Sequence, residues 1–205
     1  LMKSLAGSCV TAVRVTSIRM KKVGCQSVVL HCSANKVDMN VRGNMAVFEI
    51  NSLSLGNGLL GICPAPGRFT PYENDLKDIT DWSPSLVLTM TSMAELQSVG
   101  AAALGGDLQA GGIDWIHFPV VDYGIPTKAQ SQQWQALGAQ AAHRLSGGGR
   151  VLAHCYGGCG RSGMALMRLM CEADEAADQA LRRLRSVRPC AVETEDQRLW
   201  ASKGI

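Results

Sequence analysis

Ten residues constrain this chain more than any others: His154-Cys155-Tyr156-Gly157-Gly158-Cys159-Gly160-Arg161-Ser162-Gly163. They follow the apolar run Val151-Leu152-Ala153, a buried-strand signal. They precede Met164-Ala165-Leu166-Met167-Arg168-Leu169-Met170, which has an apolar helical pattern. A cysteine therefore stands where a strand ends, and an arginine follows six positions later where a helix begins. A glycine-rich turn between them can point its backbone N–H groups inward, and such a nest before a helix N-terminus holds a tetrahedral anion. Of the eight cysteines, only Cys155 has an arginine at that spacing. The segment reads as a phosphate-hydrolysing site built around a thiolate.

A free thiol is mostly protonated at neutral pH, and its thiolate is the nucleophile. Three features favour the anion at Cys155: the positive end of the following helix, the inward N–H groups of residues 156–161, and the Arg161 guanidinium. The same surroundings suit a phosphate dianion, so Tyr156, Gly157, Gly158, Cys159, Gly160 and Arg161 are the expected phosphate-binding residues. The planar fork of Arg161 can hold two phosphate oxygens as phosphorus becomes trigonal, a geometry lysine lacks. Ser162 can donate to the sulfur as it leaves phosphorus. His154 is expected to orient the loop rather than to transfer protons. The leaving oxygen needs a proton, and Asp122 is the candidate acid. It lies in Phe118-Pro119-Val120-Val121-Asp122-Tyr123-Gly124-Ile125-Pro126, after a strand end and one helix before Cys155. Asp75, Asp78, Asp81, Asp107 and Asp114 lack that placement.

From Met45 onward the apolar pattern is orderly. Ala46–Ile50 and Leu59–Cys63 are short β-like runs separated by Asn, Ser and Gly, which predicts a hairpin. Tyr72 to Ile79 predicts a short helix, Ser85 to Met90 a buried strand, and Ser92-Met93-Ala94-Glu95 has capping-box spacing. Ile113 to Phe118 predicts a strand, and Thr127 to Leu145 a helix stopped by Gly147-Gly148-Gly149. Strand 150–154 and a helix from Ser162 to about Ala173 flank the opening motif. Asp174 is placed as the cap of an amphipathic helix with Ala177, Leu181 and Leu184 inward, ended by Arg188-Pro189. Glu195 to Trp200 gives a final helical turn or two. Strands alternating with helices predict an α/β fold, a sheet covered by helices on both faces.

With 46% hydrophobic and 18% charged residues, the 205-residue chain is globular rather than disordered. No run approaches the ~18 apolar residues of a membrane helix. The net charge of +3 hides an asymmetry: Lys3, Arg14, Arg19, Lys21, Lys22, Lys36 and Arg42 face only Asp38 in residues 1–44. Residues 45–205 carry 13 basic and 16 acidic groups, so the chain does not read as a nucleic-acid binder. This divides it into a basic N-terminal extension, 1–44, and a catalytic domain, 45–205. Three readings of the extension stay open: a targeting peptide, a loosely attached segment, or sequence upstream of a true start at Met45. The irregular cysteine spacing, with a reactive thiolate, predicts a reducing cytoplasm rather than a disulfide framework.

His-Cys-x5-Arg-Ser with an upstream acid-bearing loop resembles the cysteine-dependent protein tyrosine phosphatase superfamily. The compact dual-specificity branch is most similar, in particular the group of the cyclin-dependent kinase-associated phosphatase. His154 to Ser162 looks like that group's signature, and the Asp122 segment like its acid loop. Arg188-Pro189-Cys190-Ala191-Val192-Glu193-Thr194 looks like its turn after the penultimate helix. The likeness covers about residues 45–205. It implies a central mixed sheet flanked by helices on both faces, with Cys155 as nucleophile, Arg161 as phosphate clamp, Ser162 as leaving-group helper and Asp122 as general acid. It also puts Gln197 where related enzymes place a water-orienting amide. A shallow pocket, no metal and no cofactor are implied, with activity on phosphotyrosine and, beyond it, phosphoserine and phosphothreonine. The expected partner is a phosphorylated protein or peptide, with no nucleic acid and no membrane; the oligomeric state is open.

Other functions share parts of this pattern: a phosphate-recognising module without turnover, a phosphatase for phosphoinositides or RNA ends, and sulfur transfer or arsenate reduction. The full set of Cys155, Arg161, Ser162 and Asp122 disfavours the first, the absence of lysines from the loop disfavours inositides, and Asp122 with Ser162 disfavours the last. Two local questions remain. Cys159 is either a disulfide partner that protects Cys155 or, the preferred reading, a small side chain filling a loop position. Arg182, Arg183, Arg185 and Arg188 either attract phosphorylated partners or, again preferred, form a solvated helix face.

Overall fold

Alternating residues of the strands are apolar on both sides, and this sets the layering. In the computed structural model, which describes residues 47–203, the elements run β1 (Asn51–Leu55), β2 (Gly58–Cys63), α1 (Tyr72–Trp82), β3 (Leu86–Thr89), α2 (Met93–Ser98) and α3 (Leu104–Ala110). They continue with β4 (Asp114–His117), α4 (Lys128–Ser146), β5 (Arg150–His154), α5 (Gly160–Glu172), α6 (Ala177–Val187) and α7 (Glu195–Ser202). Leu60, Ile62, Leu86, Leu88, Val151 and Ala153 point into one core with α4, α5 and α6. Cys63, Val87 and Leu152 point into the other, with Ile79 of α1, Leu96 of α2 and Leu104 and Leu108 of α3. The expected residues 1–44 and the start at Met45 lie outside the described residues. Among the described residues, no helix is long and apolar enough to cross a membrane.

The sheet is mixed, in the order β1-β2-β5-β3-β4. β1 pairs antiparallel with β2, and every other pair is parallel. The register aligns Cys63 with His154, His154 with Thr89, and Thr89 with His117. Four parallel strands therefore end at one edge, and the loops that follow them converge there. In open α/β sheets that edge is where ligands bind. β5 is central, which puts Cys155 in the middle of it.

Three expectations about the elements need correction. The hairpin's first strand is Asn51–Leu55, not Ala46–Ile50; its turn is Gly56-Asn57, with Gly56 at φ +57°. Only Leu53 of β1 is buried, so alternating Ser and Leu suit this edge strand, while Phe48 and Ile50 pack against the second core without joining the ladder. α3 is unanticipated: its two glycines weaken the helical pattern, but Gly105 lets the Trp115 ring lie where a Cβ would be 2.5 Å away. Asp174 does not cap α6, whose N-cap is Ala176. It closes α5 instead, in the left-handed region at φ +64°, with Asp174 N–H donating to Cys171 O and Glu175 N–H to Met170 O. The capping boxes at Ser92–Glu95 and Thr127–Gln130 are present.

Candidate active site

The loop between β5 and α5 is organised by its carbonyls. Tyr156 O accepts from Ala65 N–H at 3.3 Å and from Arg68 Nη1 at 3.0 Å. Gly157 O and Gly158 O each accept from Arg188, through Nη2 and Nε, at 2.9 Å. Cys159 O accepts from Gly163 N–H and Val192 N–H. Four successive carbonyls are thus turned to the outside. A trans peptide directs its N–H opposite to its C=O, so the N–H groups of residues 157–160 face inward. Gly158 is at φ +66°, and a Cβ there would lie 2.5 Å from the backbone of Cys63 and Pro64, so no other residue fits. The Glu193 carboxylate, from the turn before α7, accepts the Gly160 N–H at the rim of this cradle.

Cys155 is buried at the base of the cradle, its Sγ 3.2 Å from Ser162 Oγ in the first turn of α5. Arg161, 1% exposed, is one of the largest fully buried side chains. Its Nη1 donates to Glu95 Oε2 at 3.0 Å and to Val120 O at 3.1 Å; its Nη2 donates to Glu95 Oε1 at 2.8 Å. Asp122 Oδ1 lies 3.0 Å from the same Nη2. Arg161 Nε is left without a partner among the described residues, a buried donor available to a ligand. Burial would lower the guanidinium's pKa, but its hydrogen bonds to Glu95 and the charges around it raise it overall. Glu95 mirrors this: burial pushes its carboxyl up, while Arg161 and the Ser92 N–H bring it below the ordinary range. The pair is charged on both sides.

The acid loop is anchored at both ends and open in the middle. Phe118 N–H donates to Thr89 O, Val120 N–H to Met90 O, and Gln130 Nε2 to Pro119 O. On the far side Gln197 Nε2 donates to Gly124 O at 3.2 Å. Between them Val121 and Tyr123 are exposed, and Asp122 is half exposed beside Arg161.

The structure brings Cys155, Arg161, Ser162, Asp122 and the loop 156–160 to one place. Other expected residues lie around it. His154 is fully buried, with Nε2 2.7 Å from Thr89 Oγ1, which also accepts from Trp115 Nε1. Burial, then the Arg161 and His117 charges, hold its pKa down to about 3, so it is a neutral structural group. Gln197 is buried, with Oε1 accepting from Glu193 N–H and Nε2 on Gly124, so it tethers the acid loop. Cys159 is not a filler and does not pair with Cys155: it forms a disulfide with Cys190. In the arginine cluster Arg182 and Arg185 are exposed, as a solvated helix face requires, while Arg183 and Arg188 are half-buried. Arg183 bonds Glu175 and Ser54 O, Arg185 bonds Ala191 O and Val192 O, and Arg188 bonds the cradle. Glu95, 66 residues from Arg161, was legible only as a helix cap.

The neutral His154 makes stability pH-dependent. Unfolded, its imidazole titrates near 6.5, so between there and about 3 the unfolded state binds more protons and stability falls as pH falls. Wild type should lose about 1.4 kcal/mol per pH unit below ~6.5 from this group, roughly 2 kcal/mol by pH 5. Urea denaturation at both pH values should show that extra loss missing in His154→Asn; equal losses would exclude His154 as its source.

The comparisons with known proteins agree with this geometry. A family model described as Tc-R-P, polymorphic toxin system, DSP-PTPase phosphatase, matches residues 63–173. The Mus musculus protein cyclin-dependent kinase inhibitor 3 is 30% identical over 135 residues, covering 63% of each chain, so this chain spans less than two thirds of that relative. Among solved structures, kinase associated phosphatase with serine replacing its catalytic-site cysteine has a TM-score of 0.67 at 23% identity, over 77% of this chain and 94% of that one. Tk-PTP in its active form gives 0.58 at 24% identity, over 73% and 92%. PTPMT1 in complex with PI(5)P gives 0.57 at 16% identity, over 74% and 92%. The solved structures share the fold. The family match runs from the end of β2 to the end of α5 and so contains both the acid loop and the cradle; the chain belongs to the DSP-PTPase phosphatase family of polymorphic toxin systems.

Proposed function

We propose that this dual-specificity-type phosphatase hydrolyses phosphomonoesters in two steps through a phosphocysteine. The cradle N–H groups and Arg161 hold the phosphoryl oxygens, with Arg161 Nε as the free donor. Cys155 Sγ attacks phosphorus, the bond to the ester oxygen breaks, and Asp122 gives that oxygen its proton. In the second step Asp122, now a carboxylate, takes a proton from water as its oxygen bonds to phosphorus. The P–S bond breaks, Ser162 donates to the departing thiolate, and inorganic phosphate leaves. The observation that carries this reading is the ring of outward carbonyls around a thiol already 3.2 Å from Ser162 Oγ. Glu193 must give up the Gly160 N–H when phosphate arrives.

The substrate is a phosphorylated protein or peptide, carrying phosphotyrosine first and phosphoserine or phosphothreonine beyond it. Exposed Val121, Tyr123 and Ile125 on the acid loop support this, since they offer apolar contacts to residues flanking the phosphate. The compartment is a reducing cytoplasm, where Cys155 stays a thiol. Para-nitrophenyl phosphate should turn over without added metal and be inhibited by vanadate. Acid quenching during turnover should leave one phosphate mass on the peptide containing Cys155. Turnover with no such adduct would overturn the phosphocysteine, and hydrolysis of PI(5)P but of no phosphopeptide would overturn the substrate class.

Glu95 enters this scheme as the residue that positions Arg161. Glu95→Gln replaces one acceptor with an amide N–H₂ facing a guanidinium. Loss of a charge-assisted hydrogen bond costs about 1.5–3 kcal/mol, so kcat/KM should fall about 10–100-fold. Steady-state kinetics check it; an unchanged kcat/KM would mean Val120 O and Asp122 suffice to hold Arg161.

A further inference from the structure

Cys159 stands in the cradle, four residues after Cys155, and is the N-cap residue of α5. Cys190 stands in the turn between α6 and α7. A disulfide joins them across a separation of 31 residues, with Cα atoms 5.2 Å apart, inside the range a disulfide spans without backbone movement. The bond is one part of a clasp. Val192 N–H donates to Cys159 O at 3.3 Å, and Arg185 holds Ala191 O and Val192 O from behind. A Cβ on Gly163 would lie 2.7 Å from Val192 N, so the turn is seated directly on the first turn of α5. Val192, a β-branched residue, is held at φ +61°, which its surroundings must enforce. Arg188 then reaches from the start of this turn to Gly157 O and Gly158 O. Every link but one is a hydrogen bond. The covalent link ends on the residue whose own N–H faces the anion.

We infer that the Cys159–Cys190 disulfide is a redox-operated positioning element for the phosphate cradle. This deepens the phosphatase reading and rests on it. Closed, the bond fixes Cys159 and its neighbours so that the inward N–H groups keep the spacing of a tetrahedral oxyanion, while Cys155 stays a free thiol. Open, the clasp slackens and a second thiol stands among the anion's donors, so phosphate binds more weakly. Cys190 is exposed and Cys159 partly so, which lets a dithiol reach the bond. One thiolate of that reductant attacks Cys190 Sγ, and Cys159 leaves as a thiolate at a helix N-terminus that stabilises it. The second reductant thiol then attacks the mixed disulfide and releases Cys190. Two electrons and two protons pass from the dithiol, which becomes a cyclic disulfide. In a reducing cell such a bond acts as a sensor rather than a staple.

The test poises the full chain in mixtures of reduced and oxidised dithiothreitol. Alkylation and mass spectrometry report which cysteines are free, including Cys155. Opening the bond should raise KM for para-nitrophenyl phosphate and weaken tungstate binding in parallel, each by about tenfold, with kcat changed less than about twofold. Cys159→Ser/Cys190→Ser should show the open-state KM at every poise. A melting temperature that falls on opening while KM and tungstate affinity stay fixed would reduce the bond to a structural staple and overturn the inference. A KM shift that persists in the double variant would overturn it as well. If the double variant does not fold, the titration of wild type alone decides. If wild type turns nothing over, the phosphatase reading fails, yet tungstate calorimetry across the same poise still decides the role of the bond.

Discussion

Cys155→Ser should abolish turnover while leaving phosphate-analogue binding intact. The cradle's inward N–H groups and Arg161 do not depend on sulfur, so the variant keeps the outward carbonyl contacts made by Ala65, Arg68, Arg188 and Val192. What it loses is the nucleophile. A thiol can supply a thiolate nucleophile, whereas a serine hydroxyl needs a general base, and its hydrogen-bond partner, Ser162 Oγ, is another hydroxyl. Removing the nucleophile of a covalent hydrolase costs on the order of 10⁴–10⁶-fold in kcat, or about 5–8 kcal/mol of transition-state stabilisation. Stopped assays with para-nitrophenyl phosphate give kcat, and vanadate or tungstate calorimetry gives binding. Retention of more than about a hundredth of wild-type turnover would contradict a phosphocysteine intermediate, since so small a loss fits only a supporting role. Loss of analogue binding together with turnover would instead show that sulfur helps to hold the oxyanion.

The part of this site that could be read from the sequence is the part that is contiguous. A strand, a glycine-rich turn and a helix N-terminus in succession fix the relative positions of Cys155, Arg161 and Ser162 by local geometry, and β5 and α5 lie where the apolar pattern put them. Asp122 was reachable because a loop after a parallel strand falls on the same sheet edge as Cys155. Contacts between distant residues were not legible. Glu95 satisfies a local capping box completely, so nothing in its neighbourhood points to the guanidinium 66 residues away. Arg188 looks like one more basic residue at a helix end, yet it orients two cradle carbonyls 30 and 31 residues earlier. The Cys159–Cys190 pairing depends on how the α6–α7 turn packs on α5, which spacing alone does not reveal. β1 was misplaced for a related reason: an edge strand needs few apolar residues, so Asn51–Leu55 carries a weak signal beside the more apolar 46–50.

Asp122→Asn should separate substrates by their leaving groups. Asn keeps an oxygen that can accept from Arg161 Nη2, now 3.0 Å from Asp122 Oδ1, so the loop and the clamp should keep their positions. The anchors at Gln130 and Gln197 do not involve the Asp122 side chain. What disappears is the proton. A nitrophenolate leaves readily without one, and so turnover of para-nitrophenyl phosphate should fall only modestly in the first step. Tyrosine, and more so serine, leaves as a basic oxyanion that needs protonation, so kcat/KM on phosphotyrosine peptides, which reads only the first step, should fall about 10²–10⁴-fold, the usual worth of a positioned acid. Comparing the two substrates in wild type and variant gives a ratio of ratios in which changes in protein stability cancel. A large ratio assigns proton delivery to Asp122. Equal losses on both substrates would mean that Asp122 acts by holding Arg161, since a clamp serves every phosphoryl group alike whatever oxygen departs.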